Sequence, residues 1–291
     1  MKFQLFKLAL AITNALPFAA VHWLGQILGK LTWLKNGRLR RITETNIRLC
    51  FPELDPPQQA ELVKTTLSET GKVILEAGKM WCGKADDTLA LVQSSENEQL
   101  IREAQQQGRG VILAIPHWGC WEIVNLYCAR HYAMTTMYAA MGRAQFDQLI
   151  LKGRQRTGAT LALTDSSGIR AMSKALKRQE LVGMLPDQSP TRHGEFADFM
   201  GQPCYTMTLL PKLARSTNAV VIFACAKRLA DSSGFQLMFR QASQDIAQLE
   251  LAAALQTMNR DIEILIRQDP QQYLWTYRRF RKRPEGVPSV Y

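Results

Sequence analysis

Gly110-Val-Ile-Leu-Ala-Ile-Pro-His-Trp-Gly-Cys-Trp-Glu122 runs an apolar segment into a histidine and then, five residues later, a carboxylate. Val111 to Ile115 is short and rich in β-branched residues, with Gly108 and Gly110 ahead of it, which predicts a strand buried on both faces. Pro116 ends it, and Trp118, Trp121, Val124, Tyr127 and Cys128 follow at roughly helical spacing. His117 therefore falls at the carboxyl end of a strand where a helix begins, the place where open α/β sheets put their ligand sites. A histidine takes a proton near neutral pH, and a carboxylate such as Glu122 can fix its tautomer and stabilise the imidazolium. Glu122 equally fits a first-turn acid offsetting the helix dipole. His193 and Asp198 repeat the spacing, but in a polar stretch with no apolar run feeding it, so His117 and Glu122 are the catalytic candidates.

Downstream, strands are expected at Met134 to Tyr138, Thr160 to Leu163 and Leu181 to Leu185, with helices at Ala144 to Thr157 and Ser166 to Arg178 between them. Such alternation builds a mixed, largely parallel sheet flanked by helices. The last of these strands ends in Pro186-Asp187-Gln188. Asp187 reaches the His117 crevice if the two strands are neighbours, and is otherwise a turn former. The loop onward to Gly201 is polar except for Phe196, Phe199 and Met200, which are either pocket lining or loop anchors. Ala219 to Ala226 and Phe235 to Arg240 predict an antiparallel hairpin at the sheet edge, and Ile246 to Gln268 one long helix stopped before Pro270. Upstream, Phe51-Pro-Glu-Leu-Asp-Pro-Pro57 turns into a helix, a short strand is expected at Thr88 to Val92, and Ser95 with Glu98 predicts a capping box.

The 291 residues contain no linker-like run, so residues 35–291 are expected to form a single catalytic domain behind an amino-terminal segment, 1–34. From Leu8 to Gly29 that segment carries no Asp, Glu, Lys or Arg, yet Asn14, Pro17, His22 and Gln26 interrupt it. It reads as a helix lying in the membrane interface or as a span; a signal peptide is disfavoured because no small-x-small cleavage site follows. Lys35, Arg38, Arg40 and Arg41 come directly after it, which by the positive-inside rule keeps the body of the protein cytoplasmic. A net charge of +11 implies anionic partners: nucleic acid, an anionic membrane surface or phosphorylated ligands. The aromatic and basic run Tyr273-Leu-Trp-Thr-Tyr-Arg-Arg-Phe-Arg-Lys-Arg283 fits single-stranded nucleic acid or lipid headgroups, and the apolar amino terminus favours lipid. Six cysteines lack C-x-x-C spacing and read as reduced, buried thiols without a zinc site. In Lys152-Gly-Arg-Gln-Arg-Thr-Gly158 the two arginines point to opposite sides of a helix, so one serves the site as a phosphate clamp and the other is a solvated charge.

Several of these pieces share an order: Thr43-Glu-Thr-Asn-Ile-Arg-Leu-Cys-Phe-Pro52, the H-x4-E of His117 and Glu122, Gly153-Arg154-x-Arg156, Pro186-Asp187-Gln188, Phe199-x-Gly201 and Tyr277-Arg-Arg-Phe-Arg-Lys-Arg-Pro-Glu-Gly286. In that order and spacing nearly the whole chain resembles the late acyltransferases of lipid A biosynthesis, the lauroyl and myristoyl transferases of Gram-negative bacteria. The form His117-Trp-Gly-Cys-Trp-Glu122 is also similar to membrane acyltransferases acting on other glycolipids, which leaves the acceptor open. The resemblance implies a glycerolipid-acyltransferase-like α/β fold with an amino-terminal membrane-associated helix. It implies acyl transfer from acyl carrier protein to a hydroxyl of an acyl chain on the Kdo-bearing lipid A precursor, at the cytoplasmic face of the inner membrane. No cofactor, metal or nucleic acid is expected. His117 is then the base with Glu122 holding it. Amides after His117 serve the oxyanion, with Gly119 permitting close approach. Arg154 clamps a substrate anion, and Asp187 orients His117 or Arg154. A ternary route is expected, Cys120 being the alternative nucleophile beside His117. A non-enzymatic basic binder would leave the His117 motif idle.

Overall fold

Pro17 divides the uncharged amino-terminal run into two helices, α1 (Lys2–Ala15) and α2 (Phe18–Leu34), in the computed structural model of the chain, which describes residues 2–140, 142–191 and 193–291. A proline lacks the amide proton that a continuous helix would need at that point. After α3 (Arg38–Cys50), the long α4 (Pro56–Cys82) starts from a reciprocal capping box between Asp55 and Gln58. The first two helices lie on α4 at backbone contact: a Cβ on Gly71 would come within 2.0 Å of the Gly25 carbonyl oxygen, and one on Gly78 within 2.5 Å of that of Leu10. Only glycine permits such an approach. Leu10, Phe18 and Val21 are buried by it, while Leu5, Leu8, Ile12, Trp23, Ile27 and Leu31 remain exposed. Among the described residues no helix is long and apolar enough to cross a membrane. The segment expected as one interfacial or spanning helix is thus a broken pair, packed on α4, with an apolar face outward.

The helix α5 (Ala85–Leu89), strand β1 (Val92–Glu96) and helix α6 (Gln99–Gln106) lead into β2 (Val111–Ala114). Thr88, expected in a strand, lies in α5, where its hydroxyl donates to the Lys84 and Lys79 carbonyls. Ser95 donates to the Glu98 side chain and leaves α6 without a side-chain cap, so the expected capping box does not form. Then follow α7 (Trp121–His131), β3 (Met134–Tyr138), α8 (Ala144–Gln155), β4 (Thr160–Leu163), α9 (Ser166–Lys177), β5 (Leu181–Met184), β6 (Gly194–Phe199), β7 (Gln202–Met207), α10 (Leu209–Thr217), β8 (Val220–Arg228), β9 (Phe235–Gln241) and α11 (Leu251–Gln268). Seven strands form one sheet in the order β1-β9-β8-β2-β5-β3-β4, parallel throughout except for the β8–β9 hairpin. That hairpin, expected at the edge, is covered by β1.

Strand alternation splits the core into two layers: Ile112 and Ala114 face one, Val111 and Leu113 the other. Both β2 and β5 are buried along their whole length. Three expectations about the second half change. The stretch after Asp187 is no simple loop, because β6 and β7 pair as an antiparallel hairpin over the core, with Phe199 and Met200 buried as anchors and Phe196 exposed. A 3-10 turn, Ile246–Gln248, precedes α11, so the long helix is shorter than its pattern. And the aromatic and basic tail is internal: Tyr273, Trp275, Arg279 and Phe280 are buried, and Asn46 donates to the carbonyls of Trp275 at 2.7 Å and Tyr277 at 2.8 Å. Those rings are spent on the core and cannot stack on bases or dock on headgroups.

Candidate active site

The register of β2 on β5 pairs Ala114 with Met184, so His117 and Asp187, each three residues beyond its paired residue, leave the sheet side by side. The Asp187 carboxylate accepts twice from that one residue, from the His117 backbone N–H at 2.8 Å and from its Nδ1 at 2.8 Å. Asp187 is 1 % exposed. Burial pushes its carboxyl up, but the His117 ring, the two hydrogen bonds from His117 and the Arg279 guanidinium outweigh that and hold it below the usual carboxylate range. An ionised carboxylate only accepts, so Nδ1 carries a proton, and in the neutral ring the lone pair falls on Nε2. The ring lies against Trp121, centroid to centroid 4.9 Å. It forms part of the wall of a cavity of about 1080 Å³ shared with Arg154.

Glu122 does not hold His117. Its two oxygens receive the Arg154 guanidinium as a bidentate pair, Nε at 2.9 Å and Nη2 on the other oxygen. Burial raises the Glu122 carboxyl, and Arg154, the Trp81 indole and the His117 charge together bring it below its ordinary value. The spacing of five residues had favoured Glu122; the sheet order puts Asp187 there instead, and the first turn of α7 aims Glu122 at α8. The arginine expected as a free anion clamp is therefore already neutralised. Arg156, expected in solvent, is half-buried and caps the end of α4, donating to the carbonyls of Met80 and Lys79 and to Thr88 Oγ1 at 3.0 Å.

Gly119 is also placed differently. Its φ is +60°, and a Cβ there would stand 1.9 Å from the Ala226 carbonyl oxygen, so its small size serves the approach of β8. Three amides between His117 and α7 are committed: Trp118 N–H to Pro116 O at 2.7 Å, Gly119 N–H to Gln272 O at 3.0 Å, Cys120 N–H to Ala226 O at 2.9 Å. Those three cannot serve an oxyanion, which leaves the first amides of α7 itself, Trp121 and Glu122, for that role. Arg228, buried at the end of β8, donates to the Gly119 carbonyl at 2.9 Å and holds Glu76 through Nε at 2.6 Å and Nη2 at 2.7 Å. His22 of α2 bonds the same carboxylate at 2.9 Å. No spacing in the chain announces this network, whose members come from four distant segments.

Cys120 is buried and its thiol is pushed well up by burial, a poor nucleophile. His193 lies on the cavity wall, but Asp198 turns away to accept from the Gly201 N–H at 3.0 Å. The cavity is also lined by apolar Met137, Ile169, Leu185 and Met207 and by Lys212, Tyr277 and Arg281; the sequence singled out only Tyr277 and Arg281, within the aromatic and basic tail and not as part of the site. Among the described residues no three or more His, Cys, Asp and Glu side chains converge as metal ligands would.

A family model described as bacterial lipid A biosynthesis acyltransferase matches residues 3–282. The lipid A biosynthesis lauroyltransferase of Escherichia coli K12 is 31 % identical over 284 residues, 95 % of this chain and 90 % of that protein. The lipid A biosynthesis palmitoleoyltransferase of the same organism is 28 % identical over 278 residues, again 95 % and 90 %. A lipid A biosynthesis acyltransferase of Haemophilus influenzae is 29 % identical over 300 residues, 100 % of this chain and 94 % of that protein.

Proposed function

The chain belongs to the bacterial lipid A biosynthesis acyltransferases and transfers acyl groups in that pathway; from that premise we propose that it takes a fatty acyl chain from acyl carrier protein and places it on a hydroxyl of the Kdo-bearing lipid A precursor. The observation that carries the chemistry is the His117–Asp187 pair opening on a partly apolar cavity. His117 Nε2 accepts the proton of the acceptor hydroxyl as its oxygen attacks the thioester carbonyl, and Asp187 stabilises the imidazolium that forms. Arg154, fixed by Glu122, lines the same cavity and offers the oxyanion the N–H donors it does not spend on that carboxylate. When the carbon–sulfur bond breaks, the imidazolium returns the proton to the leaving thiolate. The acyl chain passes directly to the acceptor oxygen, in keeping with the buried Cys120 thiol. The protein works on the cytoplasmic face of the inner membrane, seated by the exposed apolar side chains of α1 and α2 and drawn by its charge of +11.

Purified protein given acyl carrier protein thioester and the Kdo-bearing precursor should yield a product heavier by one acyl group in mass spectrometry. A neutral glycolipid acceptor should react far more slowly. Equal rates on both acceptors, or transfer from another thioester as fast as from acyl carrier protein, would overturn the corresponding half of the assignment.

A further inference from the structure

With Arg154 bound to Glu122, the anionic end of a substrate needs another partner, and the same cavity presents two cations. Lys212, in the first turns of α10, and Arg281, in the carboxyl-terminal segment, are exposed side chains on the wall that also holds His117. Among the described residues neither forms a salt bridge; Arg281 makes one long contact, Nη2 to the Ser189 carbonyl at 3.4 Å. The one acid of the wall outside the two catalytic pairs, Asp165, is committed to capping α9, accepting from the Ser167 and Gly168 amides at 2.9 Å each. The side chains flanking Arg281 are anchored, Arg279 Nη1 donating to the Tyr205 carbonyl at 2.9 Å and Lys282 Nζ to the Pro190 carbonyl at 2.9 Å. Arg281 thus extends from an anchored segment into a cavity whose one lining acid among the described residues, Asp165, is committed to capping α9 and forms no ion pair with it.

We propose that Lys212 and Arg281 form an anion subsite that holds a phosphate of the lipid acceptor while its hydroxyl meets His117. The subsite rests on the reading of this cavity as the acyl-transfer site. A lipid is the occupant the cavity favours over the donor protein, because the cations share their wall with apolar Met137, Ile169 and Leu185, a lining suited to a molecule with a charged head and an acyl body. An arginine grips phosphate bidentately and a lysine as a point charge, so the pair divides orientation and attraction between them.

The test compares Lys212→Ala, Arg281→Ala and Arg281→Lys with the unsubstituted protein, in binding and in turnover. Direct binding of phosphorylated lipid A precursor, read by intrinsic tryptophan fluorescence, should weaken by on the order of 10-fold for each alanine variant and less for Arg281→Lys. Enzymatic removal of the phosphates from the precursor should abolish the difference between variants and parent. In turnover, KM for the acceptor should rise while KM for acyl carrier protein thioester and kcat stay close to the parent, and melting temperatures should not move because both side chains are exposed. Unchanged binding of the phosphorylated lipid, or a rise in KM confined to the donor, overturns the subsite. Absence of any acyl transfer by the parent would instead overturn the function on which it rests, with the binding comparison still deciding whether the two cations hold phosphate.

Discussion

Asp187 spends both oxygens on a single residue, so it fixes the imidazole ring and the backbone that carries it at once. That economy leaves Glu122 free for Arg154, and the site contains two ion pairs where a reading by spacing finds one. Arg154→Lys keeps the charge but loses the fork on Glu122, and turnover should fall by about 10-fold or more, measured at saturating substrates. Arg156→Lys should act on stability instead, because it removes a fork that ties α8 to the end of α4; thermal unfolding would show it. Gly119→Ala meets both a left-handed backbone and an oxygen at 1.9 Å. It should cost on the order of 3 kcal/mol or more, or fail to fold, seen as insoluble protein or a collapsed denaturation midpoint. His117 was legible in the chain because an apolar run points at it. Its partner was legible only conditionally: Asp187 was expected in the crevice if the two strands were neighbours, which the strand order alone decides, and the spacing of five drew Glu122 into the role instead.

Elements rather than residues decide where the buried charges meet. Strand β8 brings Arg228 under the Gly119 turn, α4 brings Glu76, and α2 adds His22, all nearly inaccessible to water. Burial raises the Glu76 carboxyl, but the charge and hydrogen bonds of Arg228, with His22 behind them, bring it down to about 2 from 4.5. A depressed carboxyl stabilises the fold fully above its ordinary value and loses that contribution as pH falls through the folded one, so stability should drain away between about pH 4.5 and 2. Acid titration followed by circular dichroism should show this loss, and Glu76→Gln should flatten it. The same substitution leaves buried Arg228 with only the Glu69 carboxylate at 3.5 Å and should cost about 3 kcal/mol at neutral pH. Parallel strands β2 to β5 were legible because each is a short run between helical patterns, whereas β1, the polar Val92–Glu96, was expected a few residues too early. The β6–β7 hairpin was hidden by Glu195, Asp198 and Pro203 within its strands, although Met200 and Gly201, both at positive φ, form the kind of tight turn that joins two strands. The tail misled for a different reason: alternating rings and arginines describe a surface and a buried strap equally well.

At the scale of the whole molecule, the proposed seat on an anionic bilayer rests on the exposed apolar side chains of α1 and α2 and the net charge of +11. Replacing Leu8, Trp23 and Leu31 together by serine should lower flotation with anionic vesicles at high salt, where surface charge is screened and apolar burial is not. Retention of salt-resistant flotation would move the membrane face elsewhere. The proposed chemistry rests on His117 and its buried carboxylate. The direct measurement is the acyl-transfer rate of Asp187→Asn at saturating donor and acceptor, scaled to folded protein: an amide can offer Nδ1 the wrong partner and carries no charge to stabilise the imidazolium, so the rate should fall by on the order of 10²- to 10⁴-fold. A folded Asp187→Asn protein that transfers acyl chains at close to the parent rate would contradict it.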